Sequence, residues 1–270
     1  MRKLILILGG LAILIPARAS WAQVSAPNDA GVSMGHVHFL VQDVDAYAKF
    51  WTAMGGVPGK LGMNETFKFP GVLIIVRKAD NTGTSVGSVV GHIGFHVPDT
   101  TAALARWKAA GLKTEVGQNP GQGFVWTPGD ASRVEILEDK TQTVPIAFHH
   151  VHFYIADAAG ASQVLEMQSW YAKMFGAKPG KRGQFDAADI PGANLTFTKS
   201  DTPTVTTKGR TLDHIGFEIV GLEAFCKKAE ANGLKFDMPF TKRPDLGISL
   251  AFITDPWGTY IELNEGLNKL

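Results

Sequence analysis

Eight histidines, at positions 36, 38, 92, 96, 149, 150, 152 and 214, fall in four short apolar segments of this 270-residue chain and nowhere else. Imidazole binds metal ions and moves protons near neutral pH, so such placement asks for a chemical cause. Side chains alternate along an extended strand. His36 and His38 therefore share one face, with Val37 and Phe39 on the other. The same rule groups His92, Gly94 and His96; His150, His152 and Tyr154; and His214, Gly216 and Glu218. The opposite faces are apolar and suit burial beneath helices, so the histidine faces line something other than a dry core. His149 points away from His150 and reads as structural.

Two glutamates complete the pattern. Glu135 and Glu262 sit inside apolar stretches, Val134-Glu135-Ile136 and Ile261-Glu262-Leu263, just after the turns Pro128-Gly129-Asp130 and Asp255-Pro256-Trp257-Gly258. A buried carboxylate without a partner is costly, so each wants a cation. Two imidazoles and a carboxylate can hold a divalent metal and leave positions open for substrate. The candidate triads are His36, His92 and Glu135, and His150, His214 and Glu262. Fe2+ or Mn2+ suits them best, with Zn2+ or Ni2+ also compatible. Taken singly, a strand histidine is more often a hydrogen-bonded core or cleft residue, and either glutamate could sit on a wet edge; the duplication of the set carries the metal reading. His38, His152, His96 and Glu218 lie beyond the proposed ligands on the same faces. They are candidates for catalytic proton transfer, or for orienting the ligands.

The strands that must position these groups are repeated. His36-Val37-His38-Phe39 returns as His150-Val151-His152-Phe153, and His92-Ile93-Gly94-Phe95 as His214-Ile215-Gly216-Phe217. Phe69-Pro70-Gly71 returns as Ile190-Pro191-Gly192, and Arg133 to Leu137 as Tyr260 to Leu263. Four landmarks in one order indicate duplication. Each histidine strand is followed by a helical segment ending in glycine, Val44 to Gly55, Thr100 to Gly111, Ala161 to Gly176 and Leu222 to Gly233. Asp43, Asp99 and Asp157 stand where a capping carboxylate would. Short β-rich runs fill the remainder. The expected fold is α+β, with four βαβββ modules forming an N-terminal domain at 34–141 and a C-terminal domain at 146–266, helices outside curved sheets. Residues 23–33 read as a polar, mobile lead-in.

Composition narrows the function classes. Arg2 and Lys3, an apolar run from Leu4 to Ile15, Pro16 and small residues up to Ala22 have the order of a secretory signal peptide at 1–22. Cleavage fits best after Ala22, with Ala19 as the alternative and an uncleaved anchor as the rival; a periplasmic or secreted location is expected. Without 1–22 the formal charge falls from +1 to −2. No basic cluster offers a nucleic-acid footprint, and no later apolar run approaches the roughly 20 residues that span a bilayer. Cys226 is the lone cysteine, so no internal disulfide forms. The partner expected is a small-molecule substrate, the protein being a monomer or homodimer.

On these residues the chain resembles the vicinal oxygen chelate superfamily, which includes glyoxalases, bleomycin-resistance proteins, fosfomycin-resistance thiol transferases and type I extradiol dioxygenases. The family opening, a histidine, an apolar strand and then aspartate, is matched by His36 to Asp43, His92 to Asp99 and His150 to Asp157. The closing Asp-Pro-x-Gly-x-x-Ile-Glu is matched by Asp255 to Glu262 and loosely by Pro128 to Glu135. The resemblance implies a metal that chelates two neighbouring substrate oxygens and acts as a Lewis acid. Departures bear on the reaction. Glyoxalase-type members take a fourth ligand from the fourth strand, which here reads Val72 to Val76 or Ala193 to Phe197 without an acid. The acid/base tyrosine of extradiol dioxygenases corresponds to Phe252, and Asp237 to Leu250 holds no histidine. The expectation is an exported, divalent-metal-dependent enzyme whose reaction class stays open among ring cleavage, isomerisation and group transfer. The alternative is a non-catalytic binder of a metabolite or antibiotic, as bleomycin-resistance proteins are.

Overall fold

The protein is described here by a computed structural model covering residues 24–156 and 162–269. The expected signal peptide and Asp157 lie outside the described residues. Module 1 runs β1 (Val32–Val41), α1 (Val44–Met54), β2 (Val57–Leu61), β3 (Asn64–Phe69) and β4 (Val72–Lys78). Module 2 has β5 (Val90–Val97), α2 (Thr100–Ala109), β6 (Lys113–Val116), β7 (Gln122–Trp126) and β8 (Arg133–Glu138). Module 3 has β9 (Ala147–Ala156), α3 (Ser162–Phe175), β10 (Lys178–Arg182), β11 (Phe185–Ile190) and β12 (Ala193–Ser200). Module 4 has β13 (Leu212–Ile219), α4 (Leu222–Ala231), β14 (Met238–Arg243), β15 (Ile248–Thr254) and β16 (Tyr260–Glu265). The α+β fold of four βαβββ modules is thus present. Two of the helices start as their sequence implies: the Asp43 and Asp99 carboxylates accept from the amides of Ala46 and Ala102, each at 2.9 Å.

The modules pair across the repeat. One eight-stranded sheet runs β14-β15-β16-β13-β1-β4-β3-β2, joining modules 1 and 4. The other runs β10-β11-β12-β9-β5-β8-β7-β6, joining modules 2 and 3. The segments 34–141 and 146–266 mark the duplication, and each contributes one module to each sheet. The joins are antiparallel, β1 on β13 and β5 on β9, so all four histidine strands are central in their sheets.

Alternation then divides the residues as expected. Val37, Phe39, Ile93, Phe95, Val151, Phe153, Ile215 and Phe217 are fully buried in one continuous core with the helices. Trp51 of α1 lies beside Phe39 and Phe69 of its own sheet and Phe95 of the other; the Phe175 ring of α3 packs at a tilt against Phe217, 4.6 Å between centroids. The two sheets also hydrogen-bond directly, Phe148 N–H to Pro70 O at 2.9 Å and Met34 N–H to Pro191 O at 2.8 Å. The lead-in is held in place, contrary to the sequence expectation. The Asn28 amide nitrogen donates to Phe175 O at 2.9 Å, and its oxygen accepts from Ala30 and Val32 N–H at 3.0 Å. Val24 packs against an apolar cluster including Leu61 and Leu267. Among the described residues no helix is long and apolar enough to cross a membrane.

Residues 24–141 expressed alone would leave β1 and β5 each with an unpaired edge, an invitation to association. No folded monomer is expected from that fragment; sedimentation analysis should find dimers or aggregates.

Candidate metal centres

Register fixes where the chemistry converges. His38 stands opposite His214, and His36 opposite Gly216, across the β1–β13 join; Gly216 is in turn level with Glu262 on β16. The His36 ring leans over Gly216 to bring Nε2 within 3.2 Å of Glu262 Oε2. A Cβ at position 216 would overlap that ring. The second sheet repeats the device. His152 faces His92 and His150 faces Gly94, Gly94 is level with Glu135, and His150 Nε2 reaches Glu135 Oε2 at 2.9 Å across a glycine where a Cβ would overlap its ring. The repeated His-Ile-Gly-Phe motif thus encodes a ligand-type histidine and the gap through which its neighbour's ring passes.

Two buried donor clusters result: His36, His38, His214 and Glu262 in the 1–4 cup, and His92, Glu135, His150 and His152 in the 2–3 cup. Within each, the donor atoms lie within 4.8 Å of one another, a spread compatible with ligands about 2 Å from a common ion. All six sequence-proposed ligands fall in these clusters, regrouped. His92 and Glu135 join His150 instead of His36, and His214 and Glu262 join His36 instead of His150, because the sheets pair modules 1 with 4 and 2 with 3. His38 and His152, read from the sequence as proton-transfer candidates, stand inside the donor sets. His96 and Glu218 do not. The His96 ring stacks on His149 at 3.8 Å, and the Glu218 carboxylate accepts from the amides of Gly266 (2.8 Å) and Leu267 (3.2 Å), anchoring the final turn.

The donors are prepared for a cation. Neither nitrogen of His38 has a hydrogen-bond partner, although both are buried, and the His36 ring meets the Glu262 carboxylate at 3.2 Å; buried polar groups left without partners ask for one. Burial keeps His36, His38 and His92 below the ordinary imidazole range and lowers His150 to about 3, so these rings are neutral, as ligands must be. Burial opposes ionisation of Glu262, but hydrogen bonds from His214 and His36 outweigh it and hold the carboxyl well below its usual range. His150 and His92 do the same for Glu135.

Supporting contacts differ between the cups. In the 1–4 cup, Asn264 Nδ2 donates to Glu262 Oε1 at 2.7 Å, and Asp213 Oδ2 lies 2.5 Å from His214 Nδ1. Burial lowers His214, yet Asp213 and Glu262 together carry it up to about 9. With Nδ1–H held by that carboxylate, the ring would present Nε2 to a cation that displaces its second proton. In the 2–3 cup, Gln122 donates to Glu135 Oε1, Thr198 Oγ1 is 2.7 Å from His152 Nε2, and His149 Nδ1 is 2.9 Å from His150 Nδ1. His149, which alternation sets on the other face, thus touches a donor. None of Asp213, Asn264, Gln122 and Arg182 was visible as a site residue in the sequence. Their repeat counterparts are Gly91, Leu137, Leu250 and Leu61, so no duplicated signal marked them. The Asp255 turn that precedes Glu262 is a brace: its carboxylate accepts from Trp257 N–H, Thr259 N–H and Tyr171 Oη–H at 2.7–3.0 Å.

Above the 1–4 cluster opens a cavity of about 320 Å³. His38, His214, Glu262 and Asn264 line it together with Leu61, Ile75, Leu250 and Phe252, and the exposed Arg77 and Arg243 stand at its edge.

Paired βαβββ modules curved around a donor-lined cup define a recognisable class of fold and site. The chain belongs to the Glyoxalase/Bleomycin resistance protein/Dioxygenase superfamily, whose family model matches residues 33–263. The fold is similar to glyoxalase I from Zea mays, at 16% identity, a TM-score of 0.66, and coverage of 88% of this chain and 94% of that one. It is also similar to a candidate dioxygenase from Bacillus subtilis subsp. subtilis str. 168, at 15% identity, a TM-score of 0.61, and coverage of 91% and 86%. No curated protein matches the chain.

Gly216→Ala is expected to drive the His36 ring off Glu262 and to weaken metal uptake by the 1–4 cup by tenfold or more, roughly the cost of disturbing a ligand's support. Gly94→Ala should leave that cup's uptake unchanged. Zinc titration of both purified variants checks this.

Proposed function

We propose that the protein is a metal-dependent enzyme whose reaction centre is the 1–4 cup, with His36, His38, His214 and Glu262 holding a divalent cation. The observation that carries the reading is the pair of unpartnered buried nitrogens of His38, grouped with His36, His214 and a carboxylate beside a cavity of about 320 Å³. Structural metal sites are closed, whereas catalytic ones keep a position open, and this cluster opens onto space a small molecule can fill. When bound, the cation would act as a Lewis acid on two neighbouring substrate oxygens. Three imidazoles with one carboxylate suit Fe2+, Zn2+ or Ni2+, and Mn2+ to a lesser degree.

The protein's own groups supply the rest. Leu61, Ile75, Leu250 and Phe252 exclude water and take an apolar body of the substrate. Arg77 faces the same cavity from its exposed edge and favours an anionic group there. Arg243 is engaged with Asp245, Nη2 to Oδ2 at 2.6 Å, and shapes the rim. Phe252 stands where the dioxygenase resemblance asks for a tyrosine and lies 5.3 Å from the His214 ring, so it can pack against a substrate but cannot move a proton. That favours reactions needing little acid/base help from this strand.

Chelation should abolish turnover and a divalent cation should restore it, while Glu262→Gln should lower kcat/KM by roughly 100-fold or more. The assay reloads demetallated protein with Fe2+, Mn2+, Zn2+ or Ni2+ and follows dioxygen uptake and product formation over catechols and 2-oxo acids. Metal and ligand binding without turnover of any of them would instead make the chain a binder. The reading includes export, on the order of residues 1–22. Intact-mass measurement of protein from the cell envelope or medium should find a chain starting at Gln23; a chain retaining Met1 in the cytoplasm would refute it.

A further inference from the structure

The two cups carry the same donors but opposite surroundings. At the end of β10, Arg182 enters the 2–3 cup, with Nη2 3.7 Å from Glu135 Oε2, Nη1 3.4 Å from His150 Nδ1 and Nη2 3.5 Å from His152 Nδ1. The residue at the end of β2, at the same place in the repeat, is Leu61. Conversely, Asp213 beside His214 corresponds to Gly91 beside His92, whose position is crowded by the Tyr154 ring. The 1–4 donor set and its support therefore hold two carboxylates, Glu262 and Asp213, which a divalent cation displacing the second proton of His214 would balance. The 2–3 cup holds one carboxylate already matched by a guanidinium, and a divalent cation would leave it strongly positive.

Tautomers point the same way. A guanidinium only donates hydrogen bonds, so its contacts make the Nδ1 atoms of His150 and His152 acceptors. The proton of His150 then sits on Nε2, facing Glu135 at 2.9 Å, and that nitrogen has no lone pair to give a metal. At His214 the Asp213 carboxylate holds a proton on Nδ1 instead, so a cation that displaces the proton Nε2 shares with Glu262 at 2.8 Å would meet a lone pair aimed into the cup.

We propose that Arg182 makes the two cups unequal: the 1–4 cup takes the first divalent cation tightly, and the 2–3 cup takes a second only weakly because its own guanidinium occupies the cation's electrostatic role. Arg182 is thus a residue that sets metal stoichiometry, and Asp213 is a positioning residue for the tight site. The inference rests on reading the 1–4 cup as a metal centre.

The test is a Zn2+ titration of the full chain, demetallated and in competition with a chromophoric chelator, with circular dichroism to verify folding. Wild type should bind one equivalent tightly and a second on the order of 100-fold more weakly. Glu262→Gln should remove the tight equivalent and Glu135→Gln should spare it. Asp213→Asn should weaken it by roughly 10–100-fold. Arg182→Leu, which copies the residue at position 61, should bring the second equivalent within about tenfold of the first, whereas Arg182→Lys should keep it weak. Two equivalents of like affinity in wild type, or loss of the tight one in Glu135→Gln, would overturn the inference, as would a folded Arg182→Leu protein whose second equivalent is unchanged. If Arg182→Leu does not fold, the wild-type stoichiometry and the two glutamate variants still decide. No binding to wild type at all would instead sink the metal-centre reading itself.

Discussion

Everything at the centre of this molecule depends on an imidazole crossing a strand. His36 starts on β1, passes over Gly216 on β13 and arrives at Glu262 on β16. His150 makes the same passage over Gly94 to Glu135. Side chains on adjacent strands normally stand parallel, each over its own backbone. A ring can lean one strand further only if the residue between has no Cβ, and the overlap at both glycines leaves no alternative. The lean converts a row of parallel side chains into a convergent cluster, and convergence is what a metal requires.

That geometry in turn requires the antiparallel joins. β1 and β13 must lie side by side, as must β5 and β9, for a histidine of one module to find the glutamate of another. The joins also bury the four strands at the middle of their sheets, so the faces opposite the histidines form one continuous core. Burial at the cup floor then neutralises most of the imidazoles, while the glutamates remain ionised because the rings around them stabilise the charged form. Packing and site chemistry are consequences of one pairing.

Much of this was legible in the residues, and the illegible part has a physical cause. The βαβββ repeat, the strand faces, the helix limits and all six principal donors follow from alternation, capping and duplication. The partnership between modules does not. β1 and β5 carry nearly interchangeable edges, and β9 and β13 likewise, so nothing in the local sequence says which pair meets, and His36 reads from the sequence as a partner of Glu135, not of Glu262. The glycine of His-Ile-Gly-Phe carried the missing hint, since a small residue repeated in a central strand of both copies marks a close approach. Arg182, Asp213, Gln122 and Asn264 carry no such hint for the opposite reason: each breaks the repeat, and its counterpart in the other copy has no polar side chain. Glu218 and His96 shared a strand face with the donors but lie about two pleats away, where chain-end amides and a stacked ring claim them.

The pairing also dictates an order of assembly. The 2–3 cup joins segments that follow one another, with His92 and His150 separated by 58 residues. The 1–4 cup must bring His36 to Glu262 across a separation of 226 positions, a closure whose entropic cost is met only after nearer contacts exist. The inner pair of modules can act as a template on which the first and last quarters of the chain meet. Until the last quarter has been made, β1 has no partner along one edge, and a newly made polypeptide carries three of its histidine strands before the fourth is available to close the outer cup.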